Sequence, residues 1–187
     1  MSIETRTLSG MNPRLKIDLN KMFGSRVPDS FSFKQAVGQA IIDRIRERTT
    51  SNLDRKGKRF KNYKEPTKAN PEPYSESIQF RAAGKSVNDP NLTLTGDMLA
   101  FMDIVSTDRS TITIGFADRL EQKKAHGHIL GSKPGPAVKR DFFGLPKDEY
   151  KDIARGFNLP DPEPSSLELL DTVRLLTLAE IFNDGAV

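Results

Sequence analysis

Leu92-Thr-Leu-Thr-Gly-Asp-Met-Leu-Ala-Phe-Met-Asp-Ile-Val105, followed by Thr111-Ile-Thr-Ile-Gly-Phe116, decides how this chain folds. Thr95 reads as a helix N-cap, since its hydroxyl can accept from donors that a first helical turn leaves unpaired. Met98, Leu99, Phe101 and Met102 would give that short helix an apolar side, and Ile104-Val105 reads as the chain leaving it in extended form. After the polar turn at 107–110, Ile112, Ile114 and Phe116 alternate with Thr111 and Thr113. That pattern predicts a strand with one dry and one wet face. The unit is helix, strand, hairpin turn, strand.

Working outward, Pro28 and the polar Asp29-Ser30 precede Phe33, Val37, Ala40, Ile41 and Ile45, whose three- and four-residue steps predict an amphipathic helix through Arg48. Upstream, Leu15 to Phe23 alternates in a way that suits a short strand or an arm. Downstream, periodicity stops between Ser51 and Pro73, where Arg55, Lys56, Lys58, Arg59, Lys61, Lys64 and Lys68 surround Phe60 and Tyr63. This reads as a flexible basic loop with three uses open to it: a solvated loop anchored by Phe60 and Tyr63, a dock for an acidic protein partner, or a contact with a nucleic-acid backbone. Ala117 to Lys124 reads as an exposed turn or short helix.

Val138 to Gly144 reads as a strand ending in a glycine turn. Phe142 and Phe143 would then face opposite ways, so one would be left for a subunit contact. Arg140 would clamp carboxylates or carbonyls, across the sheet or at a subunit contact. A helix should open near Pro146, with Asp148 and Glu149 at its positive end and Tyr150, Ile153 and Ala154 on its apolar side. Three prolines between Asn158 and Ser165 make a stiff connector. Ser165-Ser-Leu-Glu168 is a capping box opening Leu167 to Phe182, where apolar residues cover most of the helix circumference. Such a helix needs cover. Leu170, Val173, Leu176 and Ile181 are therefore expected to pack on another subunit, the alternative being the helix's own domain.

The expected fold is α+β, a small antiparallel sheet packed by helices. Residues 1–28 would be an extended N-terminal arm, 29–157 the core domain with the basic loop at 51–73, 158–164 a proline-rich linker and 165–187 an interaction helix. The chain has 187 residues, 36% of them hydrophobic, with 12 prolines, 13 glycines and a net charge of +4. One domain with appendages fits that length and composition. It has no cysteine, which removes disulfides and thiolate chemistry. No apolar stretch has the ~18 residues of a membrane span, and the N-terminus lacks the apolar segment of a secretion signal. A protein made in the cytoplasm is expected.

Candidate chemistry is sparse. Gly84-Lys85-Ser86 matches the end of a phosphate-binding loop, but Gln79 stands where that motif requires glycine. His126 and His128 are the only histidines, and an H-x-H pair lacks the third ligand a metal site normally has. Packing or hydrogen bonding at a strand end or subunit seam is the reading for them. No nucleophile, carboxylate pair or cofactor motif points to catalysis. Three classes remain in view: enzyme, DNA-binding module and assembly protein, and the residues favour the last.

Taken in order, Phe33 to Arg48, Asp54-Arg-Lys-Gly-Lys-Arg-Phe60, Thr95-Gly-Asp-Met-Leu99, Thr111 to Phe116, Ala125-His-Gly-His128 with Gly131, Arg140-Asp-Phe-Phe-Gly144 and Pro146 to Ala154 form a recognisable series. The series resembles the tail-completion or virion-morphogenesis family of tailed bacteriophages, small neck proteins lying where head meets tail. The family's aromatic-rich phrase after the strand is reduced here to His126-Gly-His128. The resemblance implies a structural virion protein forming a closed ring, sixfold or alternatively twelvefold, that joins or completes head and tail. Its partners would be further copies of itself, the portal-side connector and the tail tube, with DNA in the channel near Arg55, Lys58, Arg59, Lys61 and Lys64. No membrane, cofactor, metal or small-molecule substrate is implied. The alternative is a DNA-binding or packaging accessory protein acting through the basic loop.

Overall fold

The computed structural model describes residues 13–24, 27–93, 96–130 and 138–162. Its elements run β1 (Leu15–Asp18), α1 (Leu19–Phe23), α2 (Phe31–Thr50), a 3₁₀ turn (Tyr74–Glu76), α3 (Ile78–Ala82), α4 (Asp97–Ala100), β2 (Met102–Thr107), β3 (Thr111–Phe116), α5 (Arg119–Leu130) and α6 (Lys147–Gly156). The fold is α+β: a three-stranded antiparallel sheet in the order β1-β3-β2, packed by helices.

Leu15 to Phe23 does not form an arm. Leu15 pairs with Ile114 and Ile17 with Ile112, so β1 is an edge strand of the sheet. Asp18 then accepts from the amides of Asn20 and Lys21 and turns the chain into α1, which buries Leu19, Met22 and Phe23. The alternation suggested a strand but carried no sign of its partner, which lies nearly a hundred residues away.

The helix α2 forms where periodicity placed it, with Ser30 as N-cap accepting from the Phe33 amide at 3.2 Å. Val37, Ile41, Ile42 and Ile45 are fully buried. Gly38 lets the helix lie close on the sheet, because a Cβ there would run into the Ile104 side chain. α6 runs antiparallel to α2: Phe33 meets Phe157 edge-on at 5.7 Å near one end, and Arg48 meets Glu149 near the other.

Two local expectations change. α4 is a single turn with Gly96, at φ 80°, as its N-cap and no side-chain cap bond; Thr95 lies outside the described residues. Because the turn ends at Ala100, Phe101 stays exposed while Met102 enters β2 and is buried. The second change is on β3, where Thr113 is buried as well as Ile112, Ile114 and Phe116. β3 is the central strand, and its second face carries small groups that its neighbours overhang. A Cβ on Gly115 would meet the Val105 methyls at 3.2 and 3.3 Å. Val105 itself is the extra residue of a bulge between Ile104 and Ser106, a feature that blunts an edge strand against further pairing.

Leu167 to Phe182, with Leu170, Val173, Leu176 and Ile181, lies outside the described residues. The connector before it begins by packing on its own domain: Leu159 lies against the core and donates its amide to the Ala154 carbonyl.

Candidate interaction surface

The basic loop is built around its aspartate. Asp54 accepts from the amides of Lys56 and Lys58, both at 2.8 Å, and its own amide donates to the Lys58 carbonyl. Gly57, at φ 73°, supplies the left-handed residue the turn requires. Leu53 bridges to Arg59, and Phe60 is buried in the core with its amide on the Asn52 carbonyl. The D-x-x-G-x-x-F phrase is thus a pinned hairpin: the aspartate caps it, the glycine turns it and the phenylalanine anchors it.

The other half of the unit arrives from 138–145. This segment is not a strand. The Phe142 amide donates to the Arg140 carbonyl at 3.0 Å, a bond across two residues that folds the backbone tightly. The strict alternation of an extended chain is lost, and Phe142 and Phe143 are both fully buried, packing with Phe116 at centroid distances of 6.3 and 5.2 Å. Neither is available as a subunit contact.

Three arginines hold the segment down. Arg48, on the last turn of α2, donates to the carbonyls of Phe142 and Gly144 and pairs with Glu149 at 2.8 Å. Burial pushes its guanidinium pKa down, opposed by Glu149. Arg55 donates its amide to the Asp141 carbonyl at 2.8 Å, and its Nε lies 2.7 Å from the Asp141 carboxylate. Burial raises the Asp141 pKa, against the pull of Arg55. Arg140 is buried, donates to the Lys61 carbonyl at 3.3 Å and lies over the Tyr63 ring at 4.5 Å, and Phe80 packs edge-on against the same ring at a centroid distance of 5.0 Å. Its clamp is on its own chain.

The histidines lie in α5, not at a strand end. Positions two apart on a helix project about 200° from each other, so His126 and His128 cannot converge on one metal. Among the described residues, no group of three or more His, Asp or Glu could hold a metal ion. His128 gives its carbonyl to the Arg140 amide at 2.7 Å, and burial, with Arg140 nearby, pushes its pKa down to about 4. Lys85 is likewise structural: its ammonium bonds Asn91 and Thr93, both at 2.6 Å.

Of the five cations expected to meet DNA or an acidic partner, Lys58, Arg59, Lys61 and Lys64 are exposed. Arg55 is turned inward onto Asp141, leaving its neighbour Lys56 on the surface. Lys139 is also exposed, one residue from the Arg140 contact with Lys61. The sequence placed Lys56 in the basic loop without naming it among those five contacts, and gave no sign of Lys139. It also missed the exposed apolar residues Phe31, Ile78, Phe101, Val105 and Leu120. Phe31 and Ile78 each follow a serine N-cap directly, a position the capping pattern could have flagged as the outward start of a helix.

Compared with protein-family models, with curated proteins and with solved structures, the chain matches none.

Proposed function

We propose that this chain is a structural virion protein of a phage neck, a subunit of a closed ring that joins or completes head and tail. The observation that carries the reading is a meeting of phrases. The Asp54 to Phe60 and Arg140 to Gly144 phrases, two of those on which the resemblance rests, meet through Arg55 and Asp141, and Arg140 reaches back 79 positions to Lys61, the residue just after the first phrase. A chance string of short motifs has no reason to converge on one contact. The mechanism is geometric: ring closure needs one surface of each subunit to meet a different surface of the next. The ring would offer one face to the portal-side connector and the other to the tail tube.

Exposed Phe101, Val105 and Leu120 supply apolar area at the β2 edge and the start of α5. Leu170, Val173, Leu176 and Ile181 are the subunit contacts this reading expects from the C-terminal segment. Native mass spectrometry of the full-length protein, alone and with tail-tube protein, tests it. Six or twelve copies, seen as rings by electron microscopy, are the expected result. A monomer at every concentration, with no ring formed on the tube, would overturn the reading.

A further inference from the structure

We propose that the outer side of the 54–61 hairpin, together with Lys64 and Lys139, is a binding face for the phosphate backbone of double-stranded DNA. This inference does not rest on the ring, since a monomer would carry the same face. Two segments far apart in the chain build it. The hairpin presents Lys56, Lys58, Arg59 and Lys61, with Lys64 just beyond, while the strap carrying Lys139 is fixed beside it by Arg140 on Lys61 and Arg55 on Asp141.

All six cations are exposed, and none is ion-paired to a described residue. The carboxylates in the same segments do not offset them equally. Asp54 is occupied with the hairpin's own amides and Asp141 with Arg55, which leaves Glu65 as the exposed acid between 54 and 65. The hairpin is held in shape before any partner arrives, so little ordering cost falls on binding.

The aromatics identify the partner. A face for single strands needs rings on which bases can stack. Here Phe60 is in the core and Tyr63 is covered by Arg140. A protein interface needs apolar or aromatic anchors inside a polar rim. None of the exposed large apolar side chains falls in 54–64 or 138–141. Charge without stacking or apolar anchors matches the phosphate backbone of a duplex, bound without regard to sequence.

Fluorescence anisotropy of the full-length protein with a labelled random-sequence duplex of about 30 base pairs tests this, with salt varied to read the log–log slope. Parent protein should bind the duplex at least as tightly as the matching single strand. Replacing Lys58, Arg59 and Lys61 together by Gln should weaken binding about tenfold or more and lower the slope by about three, while Lys139→Gln alone should lower it by about one. Lys16→Gln on β1 should change neither. Unaltered melting temperatures would show that these exposed changes leave the fold intact. Absence of salt-dependent binding, an unaffected triple variant, or tighter binding of the single strand would overturn the proposal. Lys139→Gln without effect would remove the strap from the face. Polyglutamate competing as well as duplex DNA would replace DNA with an acidic protein.

Discussion

Arg55 and Lys56 are neighbours in the chain with opposite fates. Arg55 turns in to pair with Asp141 across a junction of distant segments, and Lys56 stands in solvent. The contrast extends to the whole cationic inventory of this region. Arg48, Arg55 and Arg140 face inward onto carbonyls, carboxylates and a ring, while Lys56, Lys58, Lys61, Lys64 and Lys139 face outward. The division follows the chemistry of the two side chains. A planar fork of donors satisfies several buried acceptors at once, whereas a compact, strongly hydrated ammonium keeps its water. Arg59 is the exception, an arginine left on the outside.

The largest test of this contrast is at the centre of the inward region. Phe143→Ala should cost about 3–5 kcal/mol in chemical denaturation, because a fully buried ring against Phe116 and Phe142 leaves a cavity. A cost below ~1 kcal/mol would place Phe143 back among surface candidates.

Next comes pH. His128 has a folded-state pKa near 4, below its ordinary 6.5, so between those values the unfolded chain holds more protons. Its contribution to stability is complete above pH 6.5 and is lost as pH falls toward 4, an effect on the order of 3 kcal/mol. Asp141, with its raised pKa, acts in the opposite direction, since protonating it favours the folded state. Comparing parent with His128→Gln isolates the histidine, because Asp141 is common to both. The parent should lose more stability than the variant on acidification, and parallel curves would refute the assignment.

The adjacent pair gives the finest comparison. Arg55→Ala leaves the Asp141 carboxylate without its partner and should cost about 1–3 kcal/mol. Lys56→Ala should stay within about 0.5 kcal/mol of parent stability. Equal costs would erase the division between inward and outward cations.

How much of this could be read beforehand follows from which signals are local. The helix from Ser30 and the one after Pro146 were legible because caps and apolar spacing lie within a few residues of each other. So was the α+β class, from strand alternation at Ile112 to Phe116. The edge strand at Leu15 was half legible, since its own pattern is short and its partner distant. The strand pattern at Val138 to Gly144 is misleading, because the backbone there is tightly folded and not extended. One amide bond, from Phe142 to Arg140, sends both phenylalanines inward. In the basic loop Phe60 was legible as an anchor, an aromatic among charges, but the Asp54 cap was not, since the backbone amides it accepts from leave no mark in a sequence. Arg55 could not be separated from the lysines around it without Asp141, more than eighty residues away.

Urea denaturation of Arg48→Lys bears most directly on the claim that inward arginines act through their forked geometry. The substitution keeps the positive charge beside Glu149 but cannot reproduce donors to the Phe142 and Gly144 carbonyls and the carboxylate together. A loss of at least about 2 kcal/mol is expected, with the denaturant slope unchanged. A lysine variant as stable as the parent would contradict it.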